Sequence, residues 1–471
     1  MPDARNHANG RSGIQVLREL AKLFNYDKMK QRLSILYFLQ FGVWGCYLTS
    51  LGQFLGAYGL GRDIAWFYAA IGLVSIITPS LFGRLADRSR SPHHLLSFCH
   101  LAAGAAMLGL WSYAMAHPQL DFMPAYALYL GFLAFYMPTM ALANTVSFGL
   151  LEQKGLNTVS EFPHIRIWGT VGFIAAMWMV NSAYIADGGL HFTLSDATDP
   201  GHQRFQYNAM QLFCSGTMGI ITAAYALTLP KREGTKQAPP LRSAQRIGIF
   251  SAVRKLFGIR EAAIFLVFVI FSGVCLQISN GFATPYITHF TAYPEYAGSL
   301  AAGNATMLFS LSQISEAFCI LLVGVSMKRK GIRWVYAMGL LAWGLRFLML
   351  GLGNPTDGLW LLIGSMLVYG IAFNFITIAG HLHIQQIAPK DMKGLAQGVM
   401  MLMSNGVGAS TGIIAAGAVV NHWCSWETVS AGDSTLRLFM GDWIWPWLIF
   451  SAYALAVAAL WYKKPFLKAG E

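Results

Sequence analysis

The sequence predicts an all-α membrane protein with about twelve transmembrane helices arranged as two six-helix bundles. Three observations carry this. Of 471 residues, 55% are hydrophobic and only 11% charged, against about 25% charged in ordinary soluble domains. The apolar residues fall in about twelve long runs, each exceeding the 10–14 residues of a buried soluble helix. The basic residues alternate between loops: 28 of the 33 Lys and Arg lie in the segments that would share one side of a membrane.

Taken in order, the runs are 34–56, 64–82, 95–116, 123–150, 164–186, 207–229, 261–287, 299–325, 334–353, 359–384, 394–420 and 441–462. A hydrocarbon core about 30 Å thick needs about 20 apolar residues per helix, which each run approximates. Before them, residues 1–33 form a basic segment without the short apolar core and small-residue site of a cleavable leader. Within it "IQVLRELAKLF" (14–24) reads equally as an amphipathic surface helix or as a disordered tail. Residues 230–260 are the longest basic interruption and divide the runs six and six. The expected organisation is therefore a basic N-terminal segment 1–33, a first bundle 34–229, a central loop 230–260, a second bundle 261–462 and a tail 463–471. The positive-inside rule places both termini and the central loop in the cytoplasm, with the chain in the cell inner membrane. Segments 187–206 and 422–438 are then outer loops. The charge of +12 is a topology signal and calls for no nucleic acid. The six cysteines form no metal-like pair, and no metal is expected.

Two bundles of six with a midplane site between them is the layout of a secondary transporter. The polar residues inside the runs should then face the interior or a water-filled cavity. Helical spacing groups them by face. Run five carries Arg166, Thr170 and Phe173. Run seven carries Gln277 and Asn280, run eight Gln313 and Glu316, and run ten Tyr369, Phe373 and Asn374. Amides offer paired donors and acceptors to a heterocycle edge, and Tyr and Phe offer a stacking face. Each of these also has a plainer reading as interhelical packing or glue. Glu316 is the exception, because a carboxylate more than ten residues deep in a span needs a partner, a proton or a purpose. Burial penalises its charged form and an arginine close by favours it. A group so poised can load and release a proton. His381 and His383, near the end of run ten, read as interfacial residues without a third metal ligand.

The stretch "GRLADRSRSPHHL" (83–95) resembles the signature loop of the major facilitator superfamily, supplied here by Gly83, Asp87, Arg88 and Arg90, where an acid–arginine contact latches one conformation. More specifically, "ILYFLQFGVWGCYLTSLGQFL", "YMPTMALANTVSF", "FPHIRIWGTVGFI", "LQISN", "LSQISEAF", "VYGIAFNF" and "LAQGVMMLMSNGVG" resemble the bacterial nucleoside:proton symporter family over roughly 30–465. The resemblance implies nucleoside import driven by the proton gradient, with no cofactor, through a pocket using Arg166, Thr170, Phe173, Gln277, Asn280, Gln313, Glu316, Tyr369 and Phe373. The family has an aspartate where this chain has Asn374: if that acid carries coupling in relatives, coupling here rests on Glu316 or is lost, and if it binds sugar hydroxyls, Asn374 substitutes with altered preference, which is the motive for a rival cargo. Partners are then a nucleoside, protons and the lipid bilayer, and a monomer is expected. The rival reading keeps the fold and changes the cargo to another small polar solute, such as a sugar conjugate or cell-wall fragment, with uniport as a variant. An enzyme is not expected: there is no HExxH, no GxSxG elbow and no phosphate loop.

Overall fold

The computed structural model describes residues 28–88, 91–194, 203–230, 249–296, 298–389, 392–431 and 434–463. A helical stretch occupies each of the twelve runs. Span one is Lys28–Gly45 continued by Leu51–Ala57; spans two to six are Ile64–Arg88, Pro92–Ala116, Phe122–Gln153, Thr158–Ser182 and Met210–Leu227. Spans seven, ten and twelve are Arg260–His289, Leu359–Ile387 and Ile444–Lys463. Spans eight and nine are two helices within Ala305–Leu352 that meet at a break at Gly331. There φ is 72°, which favours glycine. Span eleven runs from Lys393 to Trp423 with a π-helical stretch at Leu402–Gly408. Among the described residues, nine helices are long and apolar enough to cross a membrane. A short helix, Ile249–Phe257, belongs to the central segment and buries Ala252 and Leu256.

The structure departs from the sequence reading in several places. Span one is not continuous: its α-helix stops at Gly45 and resumes at Leu51. The two expected outer loops carry antiparallel hairpins instead of irregular chain. Ala183–Ala186 (β1) pairs with Gly189–Phe192 (β2). Cys424–Ala431 (β3) pairs with Ser434–Gly441 (β4). Residues 14–24 lie outside the described residues. So do Arg90 and the side chains of Gly83, Asp87 and Arg88.

Two faces follow from an even number of crossings. The described chain begins and finishes on one, the terminal face, and the hairpins lie at the other, the far face. Spans one and five cross at glycines. A Cβ on Gly45 would stand 2.3 Å from the Phe173 carbonyl oxygen, and one on Gly172 would stand 2.1 Å from that of Phe38. Only bare backbones approach so closely.

Three pairs of helices join the halves, all toward the far face. Spans one and seven are bonded by Gln53 to Thr288 and by Thr284 to the Thr49 carbonyl. Spans two and eleven are bonded by Ser410 to the Ala69 carbonyl (2.9 Å) and by Asn421 to the Arg62 carbonyl (3.0 Å). Spans five and eight meet at Trp178–Ser310 (2.8 Å) and around Asn304. The Asn304 Oδ1 accepts from Asn181 (2.6 Å) and from Arg204 (2.7 Å), while its Nδ2 donates to the Leu194 carbonyl (2.7 Å). Arg204, Gln206 and Tyr207 all donate to the Gly303 carbonyl. Trp426 of β3 lies flat on Gly56 and Gly61 of the opposite half, whose missing Cβ atoms make room for its ring.

Candidate functional site

Beneath this seal the halves part around a cavity of about 300 Å³, at the lower end of the range for small-molecule sites. Spans one, two, four and five wall it from one half and spans seven to eleven from the other. Toward the terminal face the lining continues through Thr377, His381, Met400 and Met401.

Span five presents Arg166, Thr170 and Phe173 to the cavity. The Arg166 guanidinium sits over the Phe41 ring, 3.9 Å from its centroid, a cation–π seat that holds the charge in place. Span seven presents Gln277 and Asn280, whose Nδ2 donates to the Gln277 Oε1 at 3.2 Å. That bond presets the two amides and leaves the Gln277 Nε2 and the Asn280 Oδ1 for a ligand. Span eight adds Gln313 and Glu316. Glu316 and Arg166 lie within electrostatic reach of each other but do not pair. A cation and an acid therefore face one cavity from opposite halves.

Span ten supplies Tyr369 and Phe373. Their rings are 5.7 Å apart and nearly parallel, at 5°. Spans eight and ten meet at Gly370, where a Cβ would stand 2.4 Å from the Ser315 carbonyl, and this contact brings Tyr369 beside Glu316.

Nine of the ten residues that sequence spacing grouped therefore line one cavity. Asn374 does not. It is buried in the C-terminal half, and its Nδ2 donates to the Glu316 backbone carbonyl at 2.8 Å. A step of one residue turns a helix by about 100°, so with Phe373 facing the cavity Asn374 faces span eight. Its place is behind the wall, clamping the backbone that carries Glu316.

Sequence reasoning missed several residues. Trp44, before the break in span one, and Thr49, within it, also line the cavity, and the indole N–H of Trp44 faces the Tyr47 hydroxyl. The signal for them was the discontinuity, which uniform apolarity conceals. His381 lines the cavity toward the terminal face and is held by Gln397, whose Nε2 donates to the His381 carbonyl at 2.8 Å. His383 is buried, edge-on to Phe265, with Glu261 at 3.8 Å. Arg346 of span nine is fully buried behind the wall.

Comparison with known proteins bears on this cavity. The family described as Nucleoside H+ symporter matches residues 27–466. Xanthosine permease of Escherichia coli (strain K12) is 34% identical over 434 residues, 92% of this chain and 94% of that one. Nucleoside permease NupG of the same organism is 33% identical over 433 residues, 91% of this chain and 94% of that one. A crystal structure of nucleoside transporter NupG superposes with a TM-score of 0.76 at 30% identity, covering 92% of this chain and 98% of that one. A bacterial homologue of the lysosomal transporter Spinster shares the fold, with a TM-score of 0.66 at 16% identity.

Proposed function

The chain belongs to the nucleoside H+ symporter family, and from that premise we propose how its residues divide the work of proton-coupled nucleoside import. It is a multi-pass membrane transporter and not an enzyme. The observation that carries the reading is Glu316. It stands in the wall of a cavity between the two halves, opposite Arg166, and flanked by three amides and a stacked ring pair. The amides of Gln277, Asn280 and Gln313 meet the edge of the base. The Tyr369–Phe373 pair and Phe173 supply ring faces. Arg166, Thr170 and Glu316 take the ribose hydroxyls.

Glu316 binds the coupling proton in this reading. Protonated, it removes a charge from the cavity and lets the halves close over the ligand. Deprotonated, it is charged in a low-dielectric site, which favours reopening. The halves rock about the midplane as alternating access requires. The seal at the far face supports reading this state as open toward the terminal face, and the basic loops support a cytoplasmic terminal face in the inner membrane. Gly83, Asp87, Arg88 and Arg90 serve as the conformational latch. The two bundles are 34–229 and 261–462, and one chain carries a complete site, so the unit of transport is the monomer. The proton gradient is the only energy source required.

Asn374 was the motive for a different cargo. Its position behind the wall supports the nucleoside reading, since the cavity face itself keeps every residue the family resemblance implies. The test is labelled adenosine and uridine uptake into proteoliposomes with and without an inward proton gradient. Wild type should accumulate both only with the gradient, and Glu316→Gln should exchange nucleoside but not accumulate it. Accumulation by Glu316→Gln would remove the carboxylate from coupling. Failure of folded wild type to take up either nucleoside would overturn the cargo.

A further inference from the structure

We infer that Arg346 is a positioning residue for the nucleoside site, which holds the Tyr369 ring in place and ties together four of the spans that build the cavity. The inference rests on the nucleoside reading above. Arg346 lies in span nine, which contributes only Trp343 to the cavity lining, and it does not itself reach the cavity. Its side chain is completely buried. No carboxylate among the described residues pairs with it. An unpaired guanidinium inside a membrane protein is expensive, and apolar side chains would pack the same space with less penalty. Its presence calls for something that only a forked cation does.

Its contacts show what that is. Nε and Nη2 both donate to the Ser279 Oγ of span seven, at 3.2 and 2.9 Å. Nη1 donates to the Ser312 Oγ of span eight at 3.3 Å and to the Ser365 carbonyl of span ten at 2.6 Å. Nη2 also meets the Met366 sulfur at 3.7 Å. Each serine partner sits beside, or one turn from, a cavity residue in sequence. Ser279 lies between Gln277 and Asn280. Ser312 precedes Gln313 and is one turn from Glu316. Ser365 is one turn before Tyr369. A displacement of this one side chain would therefore be felt on three walls of the cavity.

The charge itself has a second use. The guanidinium carbon lies 4.8 Å from the Tyr369 ring centroid and 5.5 Å from that of Phe309. Trp343 meets Tyr369 edge-on at 5.7 Å and 87°, and Phe373 stacks on it at 5.7 Å. The Tyr369 ring is thus fixed by a cation, an edge and a face before any ligand arrives. A fixed ring binds a base with less ordering loss than a mobile one.

The test is a double-mutant cycle on adenosine binding to the purified protein. The variants are Arg346→Met, Tyr369→Leu and the pair, each checked for monodispersity and thermal unfolding. Arg346→Met should weaken binding about tenfold, the scale of one desolvated cation–π contact. In the Tyr369→Leu background its effect should shrink to the share carried through Ser279 and Ser312, because the cation itself acts through that ring. Arg346→Lys, which keeps a charge but loses the fork, should recover part of the loss. A packing role would instead give independent effects, so losses that multiply in the double variant would overturn the inference, as would wild-type affinity in Arg346→Met. If Arg346→Met does not fold, Ser279→Ala takes its place, since it removes two of the guanidinium's bonds and leaves the charge. A loss in Ser279→Ala that persists undiminished without Tyr369 would equally overturn it. Absence of adenosine binding by folded wild type is a separate result, which removes the nucleoside reading together with what rests on it.

Discussion

Asn304→Ala should open the far face. Asn304 holds three bonds between the halves: it accepts from Asn181 and Arg204 and donates to the Leu194 carbonyl, all at 2.6–2.7 Å. The alanine variant loses all three. At about 1 kcal/mol for each neutral bond and about 2 for the charged one, the sealed state loses about 4 kcal/mol. That shifts the balance between sealed and open states by about a thousandfold. Arg204, Gln206 and Tyr207 keep their bonds to the Gly303 carbonyl, so the seal is weakened rather than abolished. The assay is the distance between spin labels at positions 117 and 357, which are exposed at the far face on opposite halves, with the native cysteines replaced. Wild type should give one short distance, and Asn304→Ala a second, longer population. Gln206→Ala, which forfeits a single 3.1 Å bond, should shift the populations by only about fivefold. An unchanged distance distribution in Asn304→Ala, with uptake at the wild-type rate, would refute the idea that this cluster holds the far face shut.

Trp44→Phe keeps a ring in the cavity wall but removes the N–H that faces the Tyr47 hydroxyl, so thermal stability should fall by about 1 kcal/mol while nucleoside affinity changes by less than about threefold, read by binding and unfolding on the same sample. Asn374→Asp replaces a donor to the Glu316 carbonyl with an acceptor; unless the new acid is neutral the two oxygens repel, and the melting temperature should drop relative to Asn374→Ala. Gly172→Ala forces a methyl against the Phe38 carbonyl at 2.1 Å and should destabilise by about 1–3 kcal/mol, whereas Gly324→Ala meets nothing within 4 Å and should be neutral or mildly stabilising by thermal unfolding.

Much of the architecture was legible because its cause is one-dimensional. A span is a run of apolar residues, and its polar members at i, i+3 and i+4 must share a face. That logic brought Arg166, Gln277, Glu316 and Tyr369 together without any coordinates. It failed where the answer depends on a neighbouring helix. Spacing cannot distinguish Phe373 from Asn374 as the cavity-facing residue, because both occupy the polar flank of span ten and only the crossing at Gly370 sets the rotation. Arg346 was invisible for the same reason: its partners Ser279, Ser312 and Ser365 are small residues on three other spans. The break at Gly45–Leu51 carries no hydropathy signal. The hairpins β1–β2 and β3–β4 were hidden by polar composition, which reads as loop.

Among the described residues, two spans fall outside the helices that are long and apolar enough to cross a bilayer: the divided span one and the polar span five. Both are walls of the cavity. During synthesis such segments partition poorly into lipid by themselves and depend on earlier or later helices to shelter them. Selection for cargo recognition and selection for efficient biogenesis thus act in opposite directions on the same side chains. Arg166→Gln should reach the membrane in higher yield than wild type even as its nucleoside uptake falls, and glycosylation mapping of truncated chains would show span five becoming lipid-embedded only once a later span has been made.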